Sequence, residues 1–167
     1  MNIISIIPAR MGSSRFPGKP MKEILGIPMI GHVYHRSKKS KFLNEVYIAT
    51  YDFEKEIINY GKNIGAKVAT SDREYTRASD ITAHVLNNIE KETGKKVDVI
   101  VMIQGDEPMI NPQQIDKVAK LFNDEKTQIS TLAKKITFAE DLCNDNIVKV
   151  VFDDNKSALY FSRQAIP

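Results

Sequence analysis

The fold is decided by one stretch near the N-terminus, Ile3-Ile4-Ser5-Ile6-Ile7-Pro8-Ala9-Arg10-Met11-Gly12-Ser13-Ser14-Arg15-Phe16-Pro17-Gly18-Lys19-Pro20. Its apolar first part has the length of a buried strand, and the stretch then changes abruptly into a loop of small, basic and kinking residues. This pattern predicts a strand that delivers a loop to the edge of a sheet.

The loop after this strand carries cations and no acid. Arg10, Arg15 and Lys19 supply positive charge, and the small residues between them leave room for backbone N–H groups to approach an anion. Arginine is also shaped for two-point contacts with phosphate. The loop therefore favours a polyphosphate ligand; the alternative is a solvated basic turn after an edge strand. Neither Gly-x4-Gly-Lys-Ser/Thr nor Gly-x-Gly-x-x-Gly is present, which argues against P-loop kinases and dinucleotide dehydrogenases.

Strand and helix signals alternate along the rest of the chain. Apolar runs predict further strands at 45–51, 66–70, 97–103 and 129–136. Helix-starting residues precede the apolar stripes at Pro28, Asp52, Asp80 and Asn111. The alternation predicts an α/β fold with a Rossmann-like, doubly wound, mostly parallel sheet, whose ligand crevice lies at the carboxyl ends of the strands.

The C-terminal region predicts a different local structure. Two short apolar segments, 146–152 and 157–161, are separated by the turn-forming residues Asp153-Asp154-Asn155-Lys156. The sequence therefore predicts a C-terminal hairpin beside the mostly parallel sheet.

Polar residues follow the apolar segment 97–103. Gln104 and Asp106 are expected at the same sheet edge as the basic loop, because a central parallel strand ends there. A carboxylate directly after a buried strand is costly unless it is solvated, hydrogen-bonded or near a cation. Because a bound polyphosphate usually needs a divalent metal held by oxygen ligands, we predict that Asp106 binds Mg²⁺. The alternative is a capping acid, with Glu107 as a solvent-facing neighbour.

Three segments occur in a fixed order along the chain. They are the loop segment 7–20, Gln104-Gly105-Asp106-Glu107-Pro108-Met109-Ile110, and Val148-Lys149-Val150-Val151 followed by Ala158-Leu159-Tyr160-Phe161-Ser162-Arg163 and Ile166-Pro167. Together they resemble the sugar-acid cytidylyltransferases, above all the 3-deoxy-manno-octulosonate (Kdo) cytidylyltransferases. The resemblance spans essentially the whole chain and implies a sheet of the nucleotide-diphospho-sugar transferase type.

The resemblance also implies an activity. A Mg²⁺-dependent nucleotidyltransferase would move CMP from CTP to Kdo or a close relative and release pyrophosphate, for lipopolysaccharide and other cell-surface polysaccharide synthesis. CTP and a sugar acid would be its partners, Mg²⁺ its cofactor, and a homodimer its assembly. The alternatives are a non-catalytic module that binds the nucleotide or the CMP-sugar, and a nucleotidyltransferase for another base or sugar.

Site residues are implied by matching the motifs position by position. The nucleotide-binding positions are Ala9, Arg10, Gly12, Ser13, Ser14, Arg15 and Lys19. Arg15, Lys19 and Asp106 are implied in catalysis. Gln104 and Arg163 would face the sugar acid, the arginine as a partner of its carboxylate. The alternative for Arg163 is a surface residue at a strand end, and Tyr160 and Ser162 are weaker candidates.

The chain departs from the family pattern in two ways. Ile81 stands where the family usually has an arginine, and Arg73 and Arg77 are the nearby guanidinium groups that could replace it. The family also continues beyond Pro167 with a C-terminal third that would carry a second magnesium-binding aspartate and the dimerisation surface. We therefore expect a fragment or a naturally shortened protein.

Composition is that of an ordinary domain. The chain has 167 residues, 42% of them hydrophobic and 27% charged, enough for one substantial core, so we predict a single nucleotidyltransferase domain over 1–167.

No apolar run is long enough for a bilayer and no signal peptide is evident, so we expect a cytoplasmic protein with no membrane partner. A single cysteine, Cys143, excludes an internal disulfide. Scattered lysines without interleaved aromatic residues argue against nucleic acid.

Overall fold

The computed structural model describes residues 1–12 and 16–166. It divides into two compact units, Met1–Ser130 and Thr131–Pro167. Within the described residues no helix is both long and apolar enough to cross a membrane. That 1–167 forms a single domain stays a prediction.

The described part of the first unit contains six strands and four helices of the α type. The strands are β1 (Ile3–Pro8), β2 (Glu23–Ile24), β3 (Ile27–Pro28), β4 (Glu45–Tyr51), β5 (Lys67–Ser71) and β6 (Val99–Met102). The helices are α1 (Met29–Ser37), α2 (Lys55–Asn63), α3 (Ala78–Thr93) and α4 (Pro112–Lys120).

Four of these strands form a parallel sheet in the order β5-β4-β1-β6. The chain runs outward from β1 to β4 and β5, and then returns to place β6 on the other side of β1. The strand order therefore reverses between β1 and β6, which is where a doubly wound sheet opens its ligand crevice. The predicted α/β class and parallel sheet are confirmed.

Helices cover both faces of this sheet. Because side chains alternate along β1, its residues contribute to the core on each face. Ile3 and Ile7 belong to the core that includes residues of α1, α2 and α4. Ile4 and Ile6 belong to the second core, which includes residues of α3. This double coverage explains why β1 is apolar at nearly every position, as a strand buried on both faces must be.

Some local predictions were wrong. The segment 129–136 is not a strand, and Ile129 is 90% exposed, because this apolar run has no regular period and no partner strand within the described residues. Asp52 does not cap a helix: α2 begins at Lys55, and the residue before it is Glu54. The small hairpin of β2 and β3 was not predicted; its turn places Leu25 and Gly26 at positive φ.

The second unit contains the predicted hairpin. Strand β7 (Lys149–Phe152) pairs antiparallel with β8 (Ala158–Ser162), so this prediction is confirmed. Lys149 is buried and donates from Nζ to the carbonyl oxygens of Asn144, Ile147 and Arg163, which provides one acceptor for each of its three N–H bonds.

Candidate active site

A cleft of about 490 Å³ opens in the first unit at the carboxyl ends of the parallel strands. One side, which we call the β1–β6 side, is formed by residues that follow those two strands: Ala9, Arg10, Gly12, Lys19, Gln104 and Asp106. The other, the β4–β5 side, is formed by Tyr51, Tyr75, Thr76, Arg77, Ala78 and Ile81. The structure thus brings together most of the sequence-predicted positions.

The loop after β1 supplies a buried residue and then an exposed cation. Ala9 is 8% exposed and donates its backbone N–H to the carbonyl of Ala49 at 2.9 Å, which extends the pairing of β1 with β4. Arg10 comes next and is exposed at the cleft. The strand therefore ends by presenting a guanidinium group to the crevice.

Lys19 and Asp106 meet across the β1–β6 side. Lys19 begins a short 3-10 helix, Lys19–Met21, after Gly18 turns the chain with a φ of 71°. Its Nζ lies 2.5 Å from Oδ2 of Asp106, in the turn that follows β6. The two side chains are 28% and 46% exposed, so both remain accessible to a ligand.

Gly105 lets the two strand ends approach each other. A Cβ atom at this position would lie 2.7 Å from the carbonyl oxygen of Pro8 and 3.6 Å from Cβ of Ala9. The first distance is too short for any real contact, so the backbone of this turn lies against β1 only because residue 105 has no side chain. Gln104 and Asp106 are held beside the basic loop as a result.

The β4–β5 side depends on a pair of tyrosines that sequence reasoning missed. The hydroxyl of Tyr51 donates to the carbonyl of Tyr75 at 3.0 Å and accepts from the backbone N–H of Tyr75 at 3.1 Å. Tyr51 is 3% exposed, so a buried group fixes the loop that leads into α3. The apolar end of β4 was the only signal for it in the sequence.

The two candidate replacement arginines differ. Arg73 donates from Nε to the hydroxyl of Tyr75 at 2.6 Å, and its guanidinium lies 5.2 Å from the centre of that ring. Arg77 is the exposed residue before α3 and lines the cleft. Ile81 is 4% exposed and belongs to the core on the α3 face. Of the two arginines, only Arg77 is a cleft residue.

Four predicted residues remain. Ser13, Ser14 and Arg15 are outside the described residues. Arg163 belongs to the second unit, where it is exposed and donates from Nη1 to the carbonyl of Asp145 at 2.9 Å. Its role toward a sugar acid, like the roles of the other site residues, stays a prediction.

The cleft contains one acidic side chain suited to a hard cation. Among residues 1–12 and 16–166, no three histidine, cysteine or acidic side chains come together as a metal site. Mg²⁺ does not require such a cage, because it keeps several water ligands and is commonly held by one or two carboxylates plus substrate phosphates. The half-exposed carboxylate of Asp106 fits that donor pattern.

Comparison with known proteins settles the family. The family model described as Cytidylyltransferase matches residues 4–167. This chain belongs to the cytidylyltransferase family. The 3-deoxy-manno-octulosonate cytidylyltransferase of Thermodesulfovibrio yellowstonii is 41% identical over 169 residues, with 100% of this chain and 66% of the relative covered. The 8-amino-3,8-dideoxy-manno-octulosonate cytidylyltransferase of Shewanella woodyi is 43% identical over 170 residues, with 100% and 67% covered.

A solved structure gives the same result for this cytidylyltransferase. The structure of CMP:2-keto-3-deoxy-manno-octonic acid synthetase complexed with CTP superposes with a TM-score of 0.90 at 33% identity, covering 100% of this chain and 66% of the other. The chain therefore spans about two thirds of the length of the relatives it matches. The resemblance deduced from the three sequence motifs is confirmed.

Proposed function

We propose that this chain transfers CMP from CTP to a 3-deoxy-ulosonic sugar acid, Kdo or a close relative, with release of pyrophosphate. The observation that carries the proposal is the pairing of Lys19 with Asp106, at 2.5 Å, in a cleft beside the strand-order reversal. A cation next to a carboxylate suits a nucleoside triphosphate and its metal ion. The relatives named as Kdo cytidylyltransferases supply the substrate class.

The cations of the β1–β6 side would act on the triphosphate. In the reaction the anomeric oxygen of the sugar acid bonds to the α-phosphorus, the bond to the leaving pyrophosphate breaks, and the hydroxyl proton is released to solvent. Negative charge grows on the pyrophosphate. Arg10 and Lys19 line the cleft and would neutralise that charge, and the loop match adds Arg15 to this role.

Asp106 would hold Mg²⁺ together with water and phosphate oxygens. The ion would withdraw electron density from the phosphates and so favour departure of pyrophosphate. In the free protein the carboxylate of Asp106 pairs with Lys19, so its charge is balanced before the ligand arrives.

Gln104 and Arg163 are our proposed sugar-acid contacts. Gln104 is exposed at the cleft and offers both a donor and an acceptor to sugar hydroxyls. Arg163 carries a guanidinium fork that fits a carboxylate. The homodimer and the cytoplasmic location remain predictions.

Pyrophosphate release tests the proposal directly. The full chain is incubated with CTP and Mg²⁺, with and without Kdo, beside its Lys19→Ala and Asp106→Ala variants. We expect sugar-dependent release that both substitutions abolish. Release without a sugar acid, or release from either variant at the rate of the original chain, would contradict the assignment.

Calorimetric titration with CTP separates the alternatives. Binding of CTP without turnover would identify a nucleotide-binding module, and absence of both would refute the assignment of the cleft. A panel of CTP, UTP and GTP tests the base, and preference for UTP or GTP would refute the cytidine assignment. A second panel compares Kdo with its 8-amino form, since relatives carry both names.

A further inference from the structure

We propose that Glu54 is a positioning residue that holds the base of the phosphate-binding loop in place. The inference rests on the proposed function, because it assigns the loop to a nucleotide. Glu54 is not part of the family motifs quoted above, and its side chain does not line the cleft. It would act through Met11, the third residue after β1.

The contact is direct and partly buried. Oε1 of Glu54 accepts the backbone N–H of Met11 at 2.9 Å, between residues 43 positions apart in the sequence. Glu54 is 9% exposed, so solvent offers Met11 little replacement for this bond. A buried N–H group that loses its acceptor bears the full cost of its desolvation.

Met11 also contacts the far end of the loop. Its carbonyl oxygen accepts the backbone N–H of Gly18 at 3.0 Å. The two hydrogen bonds therefore meet at one residue: Met11 accepts from Gly18 through its carbonyl oxygen and donates its N–H to Glu54. Lys19 directly follows Gly18. The same hydrogen bond therefore helps to fix the Lys19 backbone, from which the side chain reaches Asp106.

The side chain of Glu54 bonds to Met11 and does not cap its own helix. It is the residue that precedes α2, where a side chain usually caps the first N–H groups of its own helix. No such cap bond is present. The side chain is directed to Met11 instead, while the positive end of α2 remains a favourable place for a carboxylate. The hydrogen bond of the Glu54 side chain therefore fixes the loop and does not cap α2.

The closing experiment measures the loop and the ligand separately. Hydrogen exchange at the Met11 amide is followed in the full chain without ligand, and CTP affinity is followed by calorimetry with Mg²⁺ present. The variants are Glu54→Ala, which removes the acceptor, Glu54→Asp, which shortens it by one methylene, and Glu54→Gln, which keeps an acceptor oxygen. Glu56→Ala is the matched control, an exposed acid in the first turn of α2.

We expect Glu54→Ala and Glu54→Asp to speed exchange at Met11 and weaken CTP binding, each by roughly tenfold, because one partly buried hydrogen bond is lost. Glu54→Gln should restore both to within about threefold of the original chain, since the neutral amide oxygen still accepts. Glu56→Ala should change neither. If Glu54→Ala does not fold, the comparison of Glu54→Asp with Glu54→Gln tests the inference on its own.

Two outcomes would overturn the inference. One is unchanged exchange at Met11 in the aspartate form; the other is faster exchange with unchanged CTP affinity. Failure of the proposed function has a different signature: the original chain would not bind CTP at all, while the exchange measurement would still report whether Glu54 holds Met11.

Discussion

Lys19 and Asp106 form an ion pair at 2.5 Å although 87 positions separate them in the sequence. Each has a separate role in the proposed reaction, the lysine toward phosphate and the aspartate toward Mg²⁺. Their pairing in the free protein means that a nucleotide with its metal would replace one internal contact by two external ones. The opposite charges therefore keep the cleft organised before the ligand binds.

The first prediction concerns Lys19→Met, which keeps most of the side-chain volume and removes the charge. We expect CTP affinity to fall between about 10-fold and 100-fold, the range for losing a hydrogen bond to a charged group. Calorimetric titration at fixed Mg²⁺ measures it. Lys22→Met is the matched control, since Lys22 is an exposed neighbour outside the cleft. Equal losses in both variants would show that net charge alone attracts the nucleotide.

Asp106→Asn tests the metal. The amide is a weaker ligand for Mg²⁺ than the carboxylate, so the Mg²⁺ concentration that gives half of the maximal CTP affinity should rise at least about tenfold. Titration of CTP over a series of Mg²⁺ concentrations gives this value. Glu107→Gln, at the exposed next position, should leave it unchanged. An unchanged half-maximal Mg²⁺ concentration in Asp106→Asn would remove Asp106 from the metal site.

The sequence predicted most of what depends on local pattern. Alternating apolar segments revealed β1, β4 and the parallel sheet, because a strand buried on both faces is apolar throughout. The site residues next to the ends of β1 and β6 followed from the same rule. Glu54 and Tyr51 were missed because their hydrogen bonds join distant parts of the chain, to Met11 and Tyr75, and no periodicity encodes such a contact.

Arg77 should matter more than Arg73 for binding an anionic substrate. Arg77 is exposed at the cleft, whereas Arg73 is engaged with the ring and hydroxyl of Tyr75. We expect Arg77→Ala to weaken binding of CTP or of the sugar acid by roughly tenfold, and Arg73→Ala to change it less than about threefold. Separate titrations of each ligand identify the one that Arg77 contacts. A larger effect at Arg73 would reverse the assignment.

Replacing Ile81 by the family's usual arginine should destabilise this chain. Ile81 is 4% exposed within the core on the α3 face, and a buried guanidinium without a partner is costly. We expect Ile81→Arg to lower the free energy of unfolding by more than about 3 kcal/mol, against about 1 kcal/mol for Ile81→Val. Urea denaturation measures both. If Ile81→Arg is as stable as the original chain, the arginine must reach the cleft, and CTP titration of that variant would then show whether it adds affinity.

Gly105→Ala tests the close approach of the two strand ends that carry the site. The added Cβ would meet the carbonyl oxygen of Pro8 at 2.7 Å, and this oxygen belongs to backbone that cannot rotate away. Either the turn after β6 shifts or the variant loses stability, by about 1–3 kcal/mol as for other overpacked sites. A shifted turn would move Asp106 away from Lys19, so CTP affinity in the presence of Mg²⁺ should fall even where the protein stays folded. Met109→Ala, at a position 77% exposed, is the control for a change in the same connection. Unchanged stability together with unchanged affinity in Gly105→Ala would mean that the ion pair does not depend on this approach.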